Sequence, residues 1–102
     1  MTEMLRTLTI EHFQPLIGET FHVQVNPQEA FEVRLAEAHL LGGDVLPTSG
    51  RKPYSLIFVD IQKRLVPQGI YHLTHAALEP LDVFMVPLQP DARGTVFEVI
   101  FT

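Results

Sequence analysis

Residues Arg64–Asp91 read RLVPQGIYHLTHAALEPLDVFMVPLQPD, and how this stretch is read decides the fold. It holds two histidines three positions apart, two alternating apolar runs and four prolines. As a helix it would set His72 and His75 on one face, where a metal ion could join them. As a strand, their odd separation points them to opposite faces of a sheet. Ile70, Tyr71 and Thr74 are β-branched or aromatic residues that suit a pleated, half-buried surface. IYHLTH is therefore expected as a strand, AALEP as a tight connection and LDVFMVPL as a second strand. His12, His22 and His39 are scattered, so no histidine metal site is expected.

The same period-2 logic extends in both directions. Upstream, ETFHVQV (Glu19–Val25) alternates, with Phe21, Val23 and Val25 on one face and His22 and Gln24 on the other. NPQE supplies turn residues. AFEVRLAEAHLL begins with the same alternation, Phe31, Val33 and Leu35 inward, so it is expected to pair with the preceding strand as a hairpin; its helix-friendly second half leaves its far boundary open. GGDVLPTSGRKP (Gly42–Pro53) is the longest loop. YSLIFVDIQ is the most continuous apolar run, which points to a strand covered on both faces. Downstream, QPDARG is a turn and TVFEVIFT the last strand. At the front, TLTIEHFQPLIG reads as a short helix with Thr7 or Thr9 as N-cap, limited by Pro15 and ended at Gly18.

The expected architecture follows from this order. Six segments of strand character and no crossover helix require antiparallel pairing. A sheet of this size avoids raw edges by bending and closing. The fold class is all-β: a small, strongly bent antiparallel barrel of five to six strands with a short N-terminal helix, one domain over residues 1–102. In element order this resembles the Sm-like and SH3-like barrels. The Ile-Arg-Gly turn of RNA-binding Sm proteins has no match here, so no RNA role is implied.

Composition narrows the function. A hydrophobic fraction of 46% and a charged fraction of 19% fit a packed core. The absence of cysteine excludes disulfides, zinc–thiolate sites, iron–sulfur clusters and thiol catalysis. A net charge of −5 disfavours general nucleic-acid binding, which depends on Lys and Arg neutralising phosphates. No apolar run approaches the ~20 residues that span a bilayer, and MTEMLRTLTIEHF lacks the features of a secretory signal. A cytoplasmic protein without membrane attachment is expected.

Candidate chemistry is sparse. Ser49 and Ser55 lie in no nucleophile elbow, and TSGRKP lacks the spacing of a phosphate loop. Its two cations, Arg51 and Lys52, are the candidate ligand-binding residues of the Thr48–Pro53 loop. Lys63 and Arg64 form a second basic pair, ~36 Å away along an extended strand at ~3.3 Å per residue, so the pairs do not make one patch. Glu32 and Glu37 are expected on opposite strand faces. Asp60, inside LIFVDIQ, must find a partner or reach solvent, because burying a lone carboxylate is costly. No catalytic set, metal site or cofactor is expected.

The apolar residues say more. Phe84 and Val86 share one strand face while Val83 and Met85 share the other, and the last strand is also apolar on both sides. One small core cannot cover both faces of several strands, and an apolar surface patch marks a partner. Phe84, Val86, Phe97, Val99 and Phe101 are the candidate interface residues. A homo-oligomer, dimer or higher, or docking to an unidentified protein partner, is the expectation.

Finally, PQGIYHLTHAALEPLDVFMVPLQPD with ARGTVFEVIF resembles a family of small bacterial domains of unknown function. The matching positions are Pro67, Gln68, Gly69, Tyr71, His75, Leu78, Phe84, Val86, Pro87, Asp91, Gly94, Phe97 and Glu98, and FQPLIGETFHV and GRKPYSLIF fit as well. Glu79 stands where the family usually has Gly, and Pro80 follows it. The pattern is one of turns and strand ends. The resemblance implies no catalytic set; some members are encoded near phage-tail-like genes, which implies a structural or assembly role.

Overall fold

The computed structural model describes residues 8–42, 51–60, 62 and 66–102. A helix α1 (Ile10–Phe13) runs into a 3-10 turn (Gln14–Leu16), followed by six strands: β1 (Thr20–Asn26), β2 (Glu29–Leu40), β3 (Tyr54–Asp60), β4 (Gly69–His75), β5 (Leu78–Pro87) and β6 (Thr95–Phe101). They close into a barrel in the order β1-β2-β3-β6-β5-β4, with every neighbouring pair antiparallel. Closure removes the exposed edges that an open sheet of this length would present. No helix among the described residues is long and apolar enough to cross a membrane.

Alternation builds the wall. Phe21 and Val23 of β1, Phe31, Val33 and Leu35 of β2, Leu73 of β4, Leu81, Val83 and Met85 of β5 all point into one core. Val25 does not join them. The register slips between Gln24 and Asn26, and Val25 is 40% exposed. β2 stays a strand through LAEAHL to Leu40, because pairing with β3 overrides the helix preference of those residues.

A bulge between Leu35 and Glu37 changes the phase of β2. Ala36 turns outward against Ile57, Val59 and Val96, while Ala38 returns to the core. Glu37 stands opposite the outward Ile57, so it shares the outer face with Glu32. The expectation of opposite faces assumed unbroken alternation, which a bulge does not keep.

β3 is buried along its whole length, as a covered strand should be. Asp60, its last residue, is 2% exposed, and its Oδ1 accepts the N–H of Gln62 at 2.9 Å. One end of the barrel is closed by the N-terminal segment. Leu8, Ile10, Phe13 and Leu16 are buried, with the Phe13 ring 6.0 Å from Tyr54 and 5.5 Å from Phe101. Thr9 is the N-cap residue; its N–H donates to His12 Nδ1 at 3.0 Å. Gly18 (φ 94°) makes the turn into β1 in a region that other residues rarely enter.

Candidate functional site

The cation expected to face a ligand is instead held inside the fold. Arg51 is 9% exposed. Its Nη1 donates to the Leu8 carbonyl at 2.8 Å and its Nη2 to the Thr102 carbonyl at 3.1 Å. The guanidinium lies 5.8 Å from the Tyr54 ring centre and 5.5 Å from that of Phe101, two rings that are themselves stacked at 4.8 Å. Tyr54 Oη donates to the same Leu8 carbonyl at 3.2 Å, and burial pushes the phenol pKa up. Arg51 thus ties the N-terminal segment, β3 and the end of β6 together. Lys52 is exposed. Thr48, Ser49, Gly50, Lys63 and Arg64 lie outside the described residues.

The five candidate interface residues divide between the two sides of the barrel. Phe97, Val99 and Phe101 are 1%, 2% and 5% exposed and belong to the core. Their inward phase is set by pairing with β3, where Phe97 meets Phe58, Val99 meets Leu56 and Phe101 meets Tyr54. They are covered by the chain itself and offer no surface to a partner. Phe84 points outward at 51% exposure, and Val86 beside it is half-buried.

Two further residues complete an outward row. Ile70 of β4 is the direct cross-strand partner of Phe84, and it is 73% exposed. Ile100 of β6 is 52% exposed. The β5–β6 register pairs Met85 with Val99, and one further step sets Phe84 beside Ile100; both line a small cleft of about 200 Å³. Three large apolar side chains therefore stand side by side on β4, β5 and β6. Ile70 was legible as outward from its phase with His72 and Thr74. Ile100 was missed, although Glu98, two residues before it on the same face, is the signal that marks that phase as outward.

The polar side chains make local pairs. His72 Nδ1 lies 3.0 Å from Asp82 Oδ1 on the outer face. His75 is directed the other way: its ring is 4.6 Å from that of Phe21, its Nε2 is 2.8 Å from Glu19 Oε1, and its Nδ1 accepts the N–H of Ala77 at 2.9 Å. The backbone N–H fixes Nδ1 as the acceptor, so Nε2 carries the proton and donates to Glu19. Ser55 is buried, and its hydroxyl donates to Glu98 Oε2 at 2.9 Å. Among the described residues no three His, Asp or Glu side chains gather in a metal-binding set.

A family model described as a domain of unknown function, DUF6916, matches residues 8–101. The chain belongs to the DUF6916 family. No curated protein and no solved structure matches it. The DUF6916 match spans all six strands and the helix, so the family unit is the barrel itself.

The β5–β6 turn of this DUF6916 chain carries an ion-pair network that reaches β2. Arg93 Nη2 meets Asp91 Oδ2 at 2.8 Å and its Nη1 meets Glu37 Oε2 at 2.7 Å. Glu37 Oε1 lies 2.7 Å from His39 Nε2. Arg93 holds the Asp91 carboxyl below the usual range, and His39 together with Arg93 does the same for Glu37. Groups lowered by folding stabilise fully above the ordinary carboxylate range and lose that contribution as pH falls through their folded values. Arg93→Ala is expected to melt slightly earlier than wild type at neutral pH. The gap should close on acidification below the carboxylate range, in thermal melts recorded from pH 7 to pH 3. A gap that persists unchanged at pH 3 would assign the effect of Arg93 to packing.

Proposed function

We propose that this domain is non-enzymatic and works through protein–protein contacts, as a homo-oligomer or as a component of a larger assembly in the cytoplasm. The observation that carries this reading is the row Ile70–Phe84–Ile100 at 73%, 51% and 52% exposure on neighbouring strands. Covering apolar surface contributes roughly 25 cal/mol per Å², and a contiguous apolar patch with a polar rim is what a protein partner covers. The absence of Lys and Arg from β4, β5 and β6 favours a protein partner over nucleic acid. The resemblance to domains encoded near phage-tail-like genes supports an assembly of that kind. The other reading, a small-ligand or nucleic-acid module on the Thr48–Pro53 loop, has less support, because the Arg51 guanidinium is engaged by two carbonyls.

Sedimentation velocity on the purified protein, from dilute to concentrated, tests the reading. The wild type is expected to sediment as more than one chain, and the double variant Ile70→Ser, Phe84→Ser as a single folded chain. A double variant that sediments as the wild type does would remove the row from the interface.

A further inference from the structure

His75 stands at the end of β4, where the chain turns into β5. Its side chain is 10% exposed, against 40% or more for those of His22, His39 and His72, and His12 is exposed. The ring lies 4.6 Å from that of Phe21, a residue of the core. Both ring nitrogens are engaged. Nε2 donates to Glu19 Oε1 at 2.8 Å, and Nδ1 accepts the Ala77 N–H at 2.9 Å. One nitrogen ties β4 to the residues that lead into β1. The other closes the β4–β5 turn.

That second bond stands where the turn has little else. The turn is Ala76–Ala77, and alanine brings none of the turn chemistry that Gly, Asn or Asp supplies. Past the closing pair His75–Leu78 the register slips before the ladder resumes at Leu73–Leu81. Pro80, inside the slip, has no N–H to donate. The imidazole plays the part of an Asn or Asp side chain in other turns: it accepts a main-chain N–H two residues on.

We infer that His75 is a proton-operated latch on the β4–β5 turn. Neutral imidazole has one donor and one acceptor, and here the acceptor is Nδ1. A proton from solvent can add only to the Nδ1 lone pair. The imidazolium then presents an N–H to the Ala77 N–H, donor against donor, and the turn bond breaks. Nε2 keeps its hydrogen throughout, so the contact with Glu19 survives and gains charge assistance. The ring is held on the β1 side while it lets go of the turn. Acidification therefore loosens Ala76–Ala77 without detaching β4 from the barrel.

The surroundings favour this direction. Among the described residues, Glu19 is the charged side chain that meets His75. β1 presents the Phe21 ring, and β5 presents Leu78 across the ladder. Glu79, next along β5, makes no ion pair with the ring. His22 of β1 stands opposite Thr74 and faces Glu32.

The test is an NMR titration of the isotope-labelled wild type, kept dilute. The ring nitrogen shifts of His75 report which nitrogen holds hydrogen, and the protection factor of the Ala77 amide reports the turn bond. At the alkaline end, Nε2 is expected to be protonated and Nδ1 bare. As Nδ1 takes up its proton, protection of Ala77 should fall about tenfold, the worth of one net hydrogen bond. The amides of Tyr71 and Val83, paired within the ladder, should keep theirs. In His75→Gln, whose side chain does not titrate, the step at Ala77 should be gone. Any of three results would overturn the inference: hydrogen on Nδ1 at the alkaline end, an Ala77 amide indifferent to the titration of His75, or a ring that stays neutral until the barrel unfolds.

Discussion

Arg51→Ala is expected to lower the free energy of unfolding by about 2–4 kcal/mol, since it removes two charge-assisted hydrogen bonds from a buried setting. Arg51 is 9% exposed, and its guanidinium reaches the carbonyls of Leu8 and Thr102. Deleting it leaves both oxygens without that donor and opens space over the stacked Tyr54 and Phe101 rings. Arg51→Lys should recover only part of the loss, because one ammonium cannot reproduce the planar fork that spans two acceptors and lies over the rings. Lys52→Ala, one position on and exposed, should change little. Urea titrations monitored by circular dichroism give all three values. If Arg51→Ala were as stable as wild type, the residue would be free for a ligand and the tether described above would be incorrect.

The second large effect is expected at Phe97. Phe97→Ala should cost about 3–5 kcal/mol, the usual cost of emptying an aromatic site in a packed core. Phe97 is 1% exposed, faces Phe58 across the β3–β6 ladder and lies 6.3 Å, ring to ring, from Phe31. Phe84→Ala, at the same residue type on the neighbouring strand, should change monomer stability by less than about 0.5 kcal/mol. Both are to be measured in dilute protein, so that association does not add to apparent stability. Comparable losses at the two positions would mean that Phe84 is part of a core, and the outward row would not exist.

Most of the wall was legible because alternation is a local signal. Phe21 and Val23, or Val83 and Met85, declare their common face within a few residues. Two things were not local. The bulge at Leu35/Glu37 leaves no mark in AFEVRLAEAHLL, yet it moves Glu37 to the outer face and lets it meet Arg93. The position of β6 between β3 and β5 is a matter of closure. In TVFEVIF both phases carry large apolar residues, and the one local mark of the outward phase is Glu98, which shares it with Ile100 while Phe97, Val99 and Phe101 go inward. Arg51 failed for a related reason. A cation in a Gly- and Pro-rich loop looks solvent-facing until the chain brings Leu8 and Thr102 to it.

The most direct test of the central claim, that the Ile70–Phe84–Ile100 row is the surface this domain uses, is carbene footprinting of the wild type under dilute and concentrated conditions. Labelling of Ile70, Phe84 and Ile100 is predicted to fall as the protein is concentrated, while Ile17, Leu40 and Leu41, which are also exposed, keep their labelling. Equal labelling of the row at both concentrations, with protection appearing elsewhere, would contradict the account.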